Sequence, residues 1–235
     1  MPEPLPYRAG RHTDARLAAR VHEALGAAES ILHVSPGAGT YAPANREVTG
    51  AAPDRGRPPF EDDQFDASMS CLATFDWGQD WPSVLAEMRR VTSGPLVILT
   101  LDLPHLAGWQ KDYLAPVIAI ERARTPTPAE LAPFLGRRTR IDALRTPIDC
   151  EDGFIDALWA RPEAFLDADV RAAQPAWAEL AEHEVASIVG RLQTDLVSGA
   201  WYADHGHLRS HADYDGALRL IVDDPAAVSS LPRNV

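Results

Sequence analysis

A chain of 235 residues, 46% hydrophobic and 24% charged, can bury one substantial core and is too apolar for wholesale disorder. Its formal charge of −12, with arginines singly or in pairs such as Arg89-Arg90 and Arg137-Arg138, argues against a nucleic-acid partner. No run nears the roughly 18 apolar residues of a membrane span, and the start MPEPLPYRAGRH lacks the apolar stretch of a secretory signal.

Cys71 and Cys150 are far apart, which indicates neither a disulfide framework nor a zinc site. The expected setting is reduced and cytoplasmic, with no nucleic acid and no membrane.

Residues 12–26 predict a helix: Leu17, Val21, Ala24 and Leu25 recur at helical spacing, and Gly26 is placed as a stop. Ile31–Val34 is a short apolar run ending in Ser-Pro-Gly-Ala-Gly, a strand and a tight loop. Arg46–Gly50 reads as a weak strand. Residues 51–64, with three prolines, a glycine and four acidic residues, read as a loop. Phe65–Thr74 predicts a buried strand. Asp80–Val91 predicts an amphipathic helix with Trp81, Val84, Leu85, Met88 and Val91 on one face.

Pro95–Leu101 is apolar on both faces, as in a central parallel strand. Further helices are expected near 108–121, 127–135, 151–160 and 171–198, a strand at 139–146 and a final strand at 217–222. Alternating strands and helices in the first half call for an α/β fold with an open, mostly parallel sheet covered by helices on both faces. The expected organisation is one domain over 1–222, with helical elaboration in its second half and a loose tail over 223–235.

Three pieces stand in order: ILHVSPGAGTYAP; PPFEDDQFDASMSCLATFDW followed by WPSVLAEMRRV; and GPLVILTLD. Together they resemble the class I S-adenosylmethionine-dependent methyltransferases, in particular the small-molecule branch called methyltransferase type 11. The resemblance covers residues 12–103, which it marks as the cofactor half; residues 104–222 are the substrate side. It implies a Rossmann-like fold in which Ser35, Gly37, Gly39 and Tyr41 would face the cofactor, if one is bound at all.

The pattern breaks at that site. Ser35 replaces the first loop glycine, Pro36 removes a backbone donor, and His33 replaces the usual acidic residue. The ribose-binding carboxylate falls near Ala52, with Asp54 a poor substitute behind Pro53. Only sixteen residues separate Val48 from Phe65, and Pro53, Pro58 and Pro59 interrupt them. A parallel crossover needs a dozen or more residues and usually a helix. The third strand and its helix are therefore expected to be lost, and with them one wall of the adenosine pocket.

Ligands in such sheets lie beyond the carboxyl ends of the strands. Candidate acid/base groups there are Asp76 after the fourth strand, Asp102 and His105 after the fifth, and Asp149 after the 139–146 segment. Trp77, Trp109 and Tyr113 would supply flat apolar walls. Asp76 and Asp102 read equally well as helix caps, and a Trp is more often packing. The spacing of His205, His207 and His211 matches no metal motif, so no metal is expected.

The expectation is a methyltransferase-like enzyme of secondary metabolism that needs no cofactor. It would catalyse a cyclisation, isomerisation or elimination on a small, largely apolar metabolite. The alternatives are a working S-adenosylmethionine-dependent enzyme and a non-catalytic partner subunit. Oligomeric state stays open, a homodimer included.

Overall fold

The computed structural model describes residues 5–35, 41–53 and 60–225; Gly37, Gly39, Asp54, Pro58, Pro59 and residues 226–235 lie outside these. Helix α1 (Ala15–Ala24) begins where the Asp14 carboxylate accepts from the backbone N–H of Arg16 and Leu17 at 3.0 and 3.4 Å. The same carboxylate accepts from Glu151 N at 3.1 Å, tying the helix to the second half of the chain. Leu17, Val21 and Leu25 are buried, each contributing about 1.5–3 kcal/mol. Gly26, at φ 57°, stops the helix in a left-handed turn that a β-carbon would disfavour.

Next come strands β1 (Ser30–Val34), β2 (Glu47–Ala51) and β3 (Ala67–Cys71), helix α2 (Trp81–Arg90) and strand β4 (Leu96–Leu101). The second half supplies helices α3 (Gly108–Tyr113), α4 (Ala115–Arg124) and α5 (Pro128–Leu131), then strands β5 (Thr139–Ala143) and β6 (Thr146–Pro147). Helices α6 (Ala168–Ala172), α7 (Glu182–Ser198) and α8 (Ala200–His205) follow, with strands β7 (Asp213–Tyr214) and β8 (Leu218–Asp223) last.

Among the described residues the main sheet runs β2-β1-β3-β4-β8-β5. Its first four strands are parallel, and β8 runs antiparallel to both β4 and β5. Strand β2 is the sheet edge, and no strand or helix lies between it and β3 among the described residues. Among the described residues the third strand unit is absent.

Apolar strands bury both faces. On β4, Val97 and Leu99 join Ile31, Met69 and the α1 residues on one side, while Leu96 and Ile98 join Leu32, Val34, Leu85 and Met88 on the other. A third cluster, in the helical elaboration, gathers Trp109, Trp159, Trp201, Phe165 and Leu192.

Arg90 joins two of the sequence motifs: its Nε donates to Glu87 Oε2 at 2.8 Å, its Nη2 to the Phe60 carbonyl at 2.8 Å, and its Nη1 to Asp62.

Three helix expectations need correction. Residues 108–121 are split at Leu114 into α3 and α4, because Pro116 cannot continue the ladder. Residues 171–198 are likewise interrupted at Pro175. Residues 151–160 hold only a 3-10 turn at Ile155–Leu158. There Asp152 and Asp156 bind His12 N and Ala217 N at 3.1 Å each, anchoring the segment to distant chain.

Candidate active site

Ser35, Cys71 and Leu101 mark the carboxyl ends of β1, β3 and β4, and all three line one cavity of about 200 Å³. This is where an open α/β sheet binds its ligand. Phe75, Leu103, Phe154 and Ile155 give it apolar walls. Its polar groups include Arg11, Asp76, Glu121 and Gln174.

Glu121 stands on α4 in one stripe with the buried Val117 and Thr125, spaced by four. Burial pushes its carboxyl up to about 7, with Asp76 adding in the same direction; the Thr125 hydroxyl and the guanidinium groups of Arg11 and Arg124 pull against it. A carboxyl poised there can both accept and release a proton near neutral pH.

Asp76 belongs to the turn Thr74–Asp80 after β3, whose first residue is tied to β4 by a 2.9 Å hydrogen bond between the Thr74 and Thr100 hydroxyls. It is raised as well, by desolvation first, with Arg124 and Arg11 opposing. The Arg124 guanidinium lies 4.2 Å from the centre of the Phe75 ring and pairs with Glu179.

Arg11 enters from the segment ahead of α1. Its Nε and Nη2 donate to Asp152 at 2.7 and 3.1 Å, a bidentate pair that fixes the guanidinium plane. Asp152 also accepts from Tyr41 Oη at 2.7 Å and is itself 1% exposed. Ser35 and Tyr41 both adopt left-handed backbone, at φ 58° and 57°.

The structure brings only some of the sequence candidates together. Asp76 and Ser35 line the cavity. Asp102 does not, although its neighbours Leu101 and Leu103 do: its Oδ2 lies 3.0 Å from Nδ1 of the exposed His105 and 3.8 Å from Arg219 Nε. Asp149 is exposed and pairs with Arg16 at 2.7 Å. Trp77 is buried against Val34 and Leu85. Trp109 is fully buried, donating to the Trp159 carbonyl at 2.6 Å. Tyr113 donates to Asp195 at 2.7 Å under the Arg191 guanidinium. These aromatic rings pack the core and leave the cavity walls to Phe75 and Phe154.

Tyr41 is buried and spends its hydroxyl on Asp152. Gly37 and Gly39 lie outside the described residues. His205 rests on Trp201, ring centres 5.6 Å apart, and among the described residues no group of three or more His, Cys, Asp or Glu is placed to hold a metal ion.

Sequence reasoning missed Glu121 and Arg11. A carboxylate on the buried stripe of α4 was the readable signal for the first; Arg11, in a proline-rich start, gave none.

Strand β2 ends at Ala51 and is followed by Ala52 and Pro53; among the described residues no carboxylate stands at the ribose position that the resemblance implies, and no further strand stands beside β2. A crevice of about 20 Å³ lies between those residues, Val34 and α2.

No protein-family model matches the chain, and no curated protein matches it in sequence. Solved structures do match. One from Anabaena variabilis, named as a methyltransferase of an antibiotic biosynthesis pathway, superimposes with a TM-score of 0.77 at 22% identity, over 92% of this chain and 99% of its own. The [4+2]-cyclase SpnF gives 0.47 at 15% identity, over 95% and 90%. Geranyl diphosphate C-methyltransferase from Streptomyces coelicolor A3(2), bound to S-adenosylhomocysteine, gives 0.43 at 12%, over 94% and 91%. The fold is that of the class I S-adenosylmethionine-dependent methyltransferases: a Rossmann-like α/β domain with a mixed six-stranded sheet.

Proposed function

We propose that this chain is a cofactor-independent enzyme that performs acid/base chemistry on a small, largely apolar molecule, with Glu121 as the proton-handling group. The observation that supports this reading is one cavity lined by Asp76 and Glu121, both pushed up by burial, in a sheet with no strand outside β2 among the described residues. Ligand sites for drug-sized molecules span roughly 300–1,000 Å³. A cavity of about 200 Å³ suits one small substrate better than a nucleoside and a substrate together.

Glu121 takes a proton in its ionised form and returns it in its neutral form; burial holds its pKa up, and Asp76 adds to this. Phe75, Phe154 and Leu103 exclude water, which strengthens the charge interactions inside.

Calorimetric titration with S-adenosylmethionine and S-adenosylhomocysteine tests this. A ligand at 100 times its Kd adds about 2.7 kcal/mol of stability. The expected result is no heat and no rise in melting temperature; binding of either compound overturns the proposal.

The second reading, a methyltransferase with an unusual cofactor pose, draws on Ser35 and Tyr41. Their left-handed backbones bracket residues 36–40 at the end of β1, where the methionine end of the cofactor would sit. The same titration decides between the two readings.

A further inference from the structure

The cavity carries hydrogen-bond donors that the protein itself leaves unused. Ser35 is 8% exposed and lines the cavity, and its Oγ has no hydrogen-bond partner among the described residues. A buried hydroxyl left unpaired is costly, so a ligand acceptor at this point would recover a real loss. Arg11 reaches the same cavity. Asp152 occupies its Nε and Nη2, and its Nη1 meets no acceptor among the described residues.

Ser35 and Arg11 come from the β1 end and the N-terminal segment, whereas Glu121 comes from α4. Donors and a carboxylate, brought into one small apolar space from different elements, are the parts needed for proton abstraction beside a carbonyl.

We propose that the cavity takes a small, neutral, enolisable carbonyl compound, whose oxygen is received by Ser35 Oγ and the Arg11 guanidinium while Glu121 removes the proton from the adjacent carbon. This rests on the cofactor-free reading above and names its substrate class. The C–H bond breaks, its proton goes to the Glu121 carboxylate, and its electron pair enters the enolate, whose charge collects on oxygen. Return of the proton to the same carbon, or to another in a conjugated system, completes an exchange or an isomerisation. No oxidant or second reactant is consumed.

Charge favours a neutral substrate over an anion. Asp76 and Glu121 line the cavity, and the Arg11 charge is already shared with Asp152. Negative charge on the substrate is best tolerated when it develops at the oxygen facing Arg11.

The test uses the matched pair 2-tetralone, an enolisable ketone, and 2-aminotetralin, a cation of the same shape. Binding is read by calorimetry. Exchange of the tetralone α-protons is read by NMR in D2O, for the wild type, Glu121→Gln and Ser35→Ala. The ketone is expected to bind at least about 10-fold more tightly than the amine, since the donors are satisfied only by an acceptor. Wild type is expected to accelerate exchange, with a loss of about 100-fold or more in Glu121→Gln. Ser35→Ala should lose about 10- to 100-fold with a melting temperature that does not fall, because its buried hydroxyl has no protein partner to lose.

Tighter binding of the amine, no binding of the ketone, or equal exchange in all three proteins overturns the proposal. A parallel titration with S-adenosylhomocysteine separates the two failures. If that compound binds, the cofactor-free reading falls. If neither it nor the ketone binds, only the carbonyl assignment falls.

Discussion

Glu121→Gln also makes a prediction about stability that needs no substrate. The carboxyl titrates near 4.5 when unfolded and near 7 when folded. Between those values the folded chain binds more protons than the unfolded chain, so stability falls as pH rises through the window. Below about pH 4.5 the group is neutral in both states and costs nothing extra. Above about pH 7 the folded protein carries a desolvated charge, worth at most about 3 kcal/mol at 1.36 kcal/mol per pKa unit. Water reaching the half-buried carboxyl trims this to about 1–3 kcal/mol.

Glutamine keeps the shape and removes the charge. The variant should therefore match wild type at pH 4.5 and exceed it by about 1–3 kcal/mol at pH 8, read as unfolding free energy from urea titrations across pH 4–9. Asp156, also raised, to about 6 by burial, is present in both proteins and cancels in the difference. A wild-type-minus-variant difference that stays flat over pH 4–9 would refute the placement of this carboxyl in a dry cavity.

His33 provides the opposite slope. Burial holds its imidazole down at about 4, so its neutral form is favoured and stability falls as pH drops from 6.5 through 4. His33→Asn should lose that acid limb, about 3 kcal/mol at 1.36 kcal/mol per unit, in the same urea series; an unchanged limb would count against a neutral buried ring. Asp152→Asn removes the shared anion of Arg11 and Tyr41 and should cost about 3–5 kcal/mol, as breaking a buried ion pair does; a loss below about 1 kcal/mol would show that the pair is not structural.

The first half of the fold was readable because its signals are physical necessities. Leu32, Leu96 and Ile98 are apolar where a parallel strand buries both faces, and prolines 53, 58 and 59 leave no room for a crossover helix. The second half was less readable. Its turns at 151–160 are set by Asp152 and Asp156 binding segments 140 and 61 residues away, which no local periodicity records.

The site was half-hidden for the same reason. Asp76 follows a recognisable strand and was found, whereas Glu121 reaches the cavity only because α4 packs over the Thr74–Asp80 turn. Spacing alone could not tell which aromatic side chains face a ligand. Trp109 and Tyr113 answered to partners at Trp159 and Asp195 instead.

The deletion and the cavity are separable parts of this molecule. The outer side of β2, where no further strand stands among the described residues, is one edge of the sheet, while the cavity is built on β1, β3, β4, α4 and the segment after β6. Arg11, Asp152 and Tyr41 brace that cavity through hydrogen bonds that involve no residue of β2. The absence of a strand beside β2 among the described residues therefore leaves the lining of that cavity intact. A fold arranged this way can lose its cofactor and keep a place for chemistry, provided that some group already in the chamber can move a proton. Glu121 is the carboxyl so placed, and burial among Val117, Thr125 and the cavity walls is what poises it.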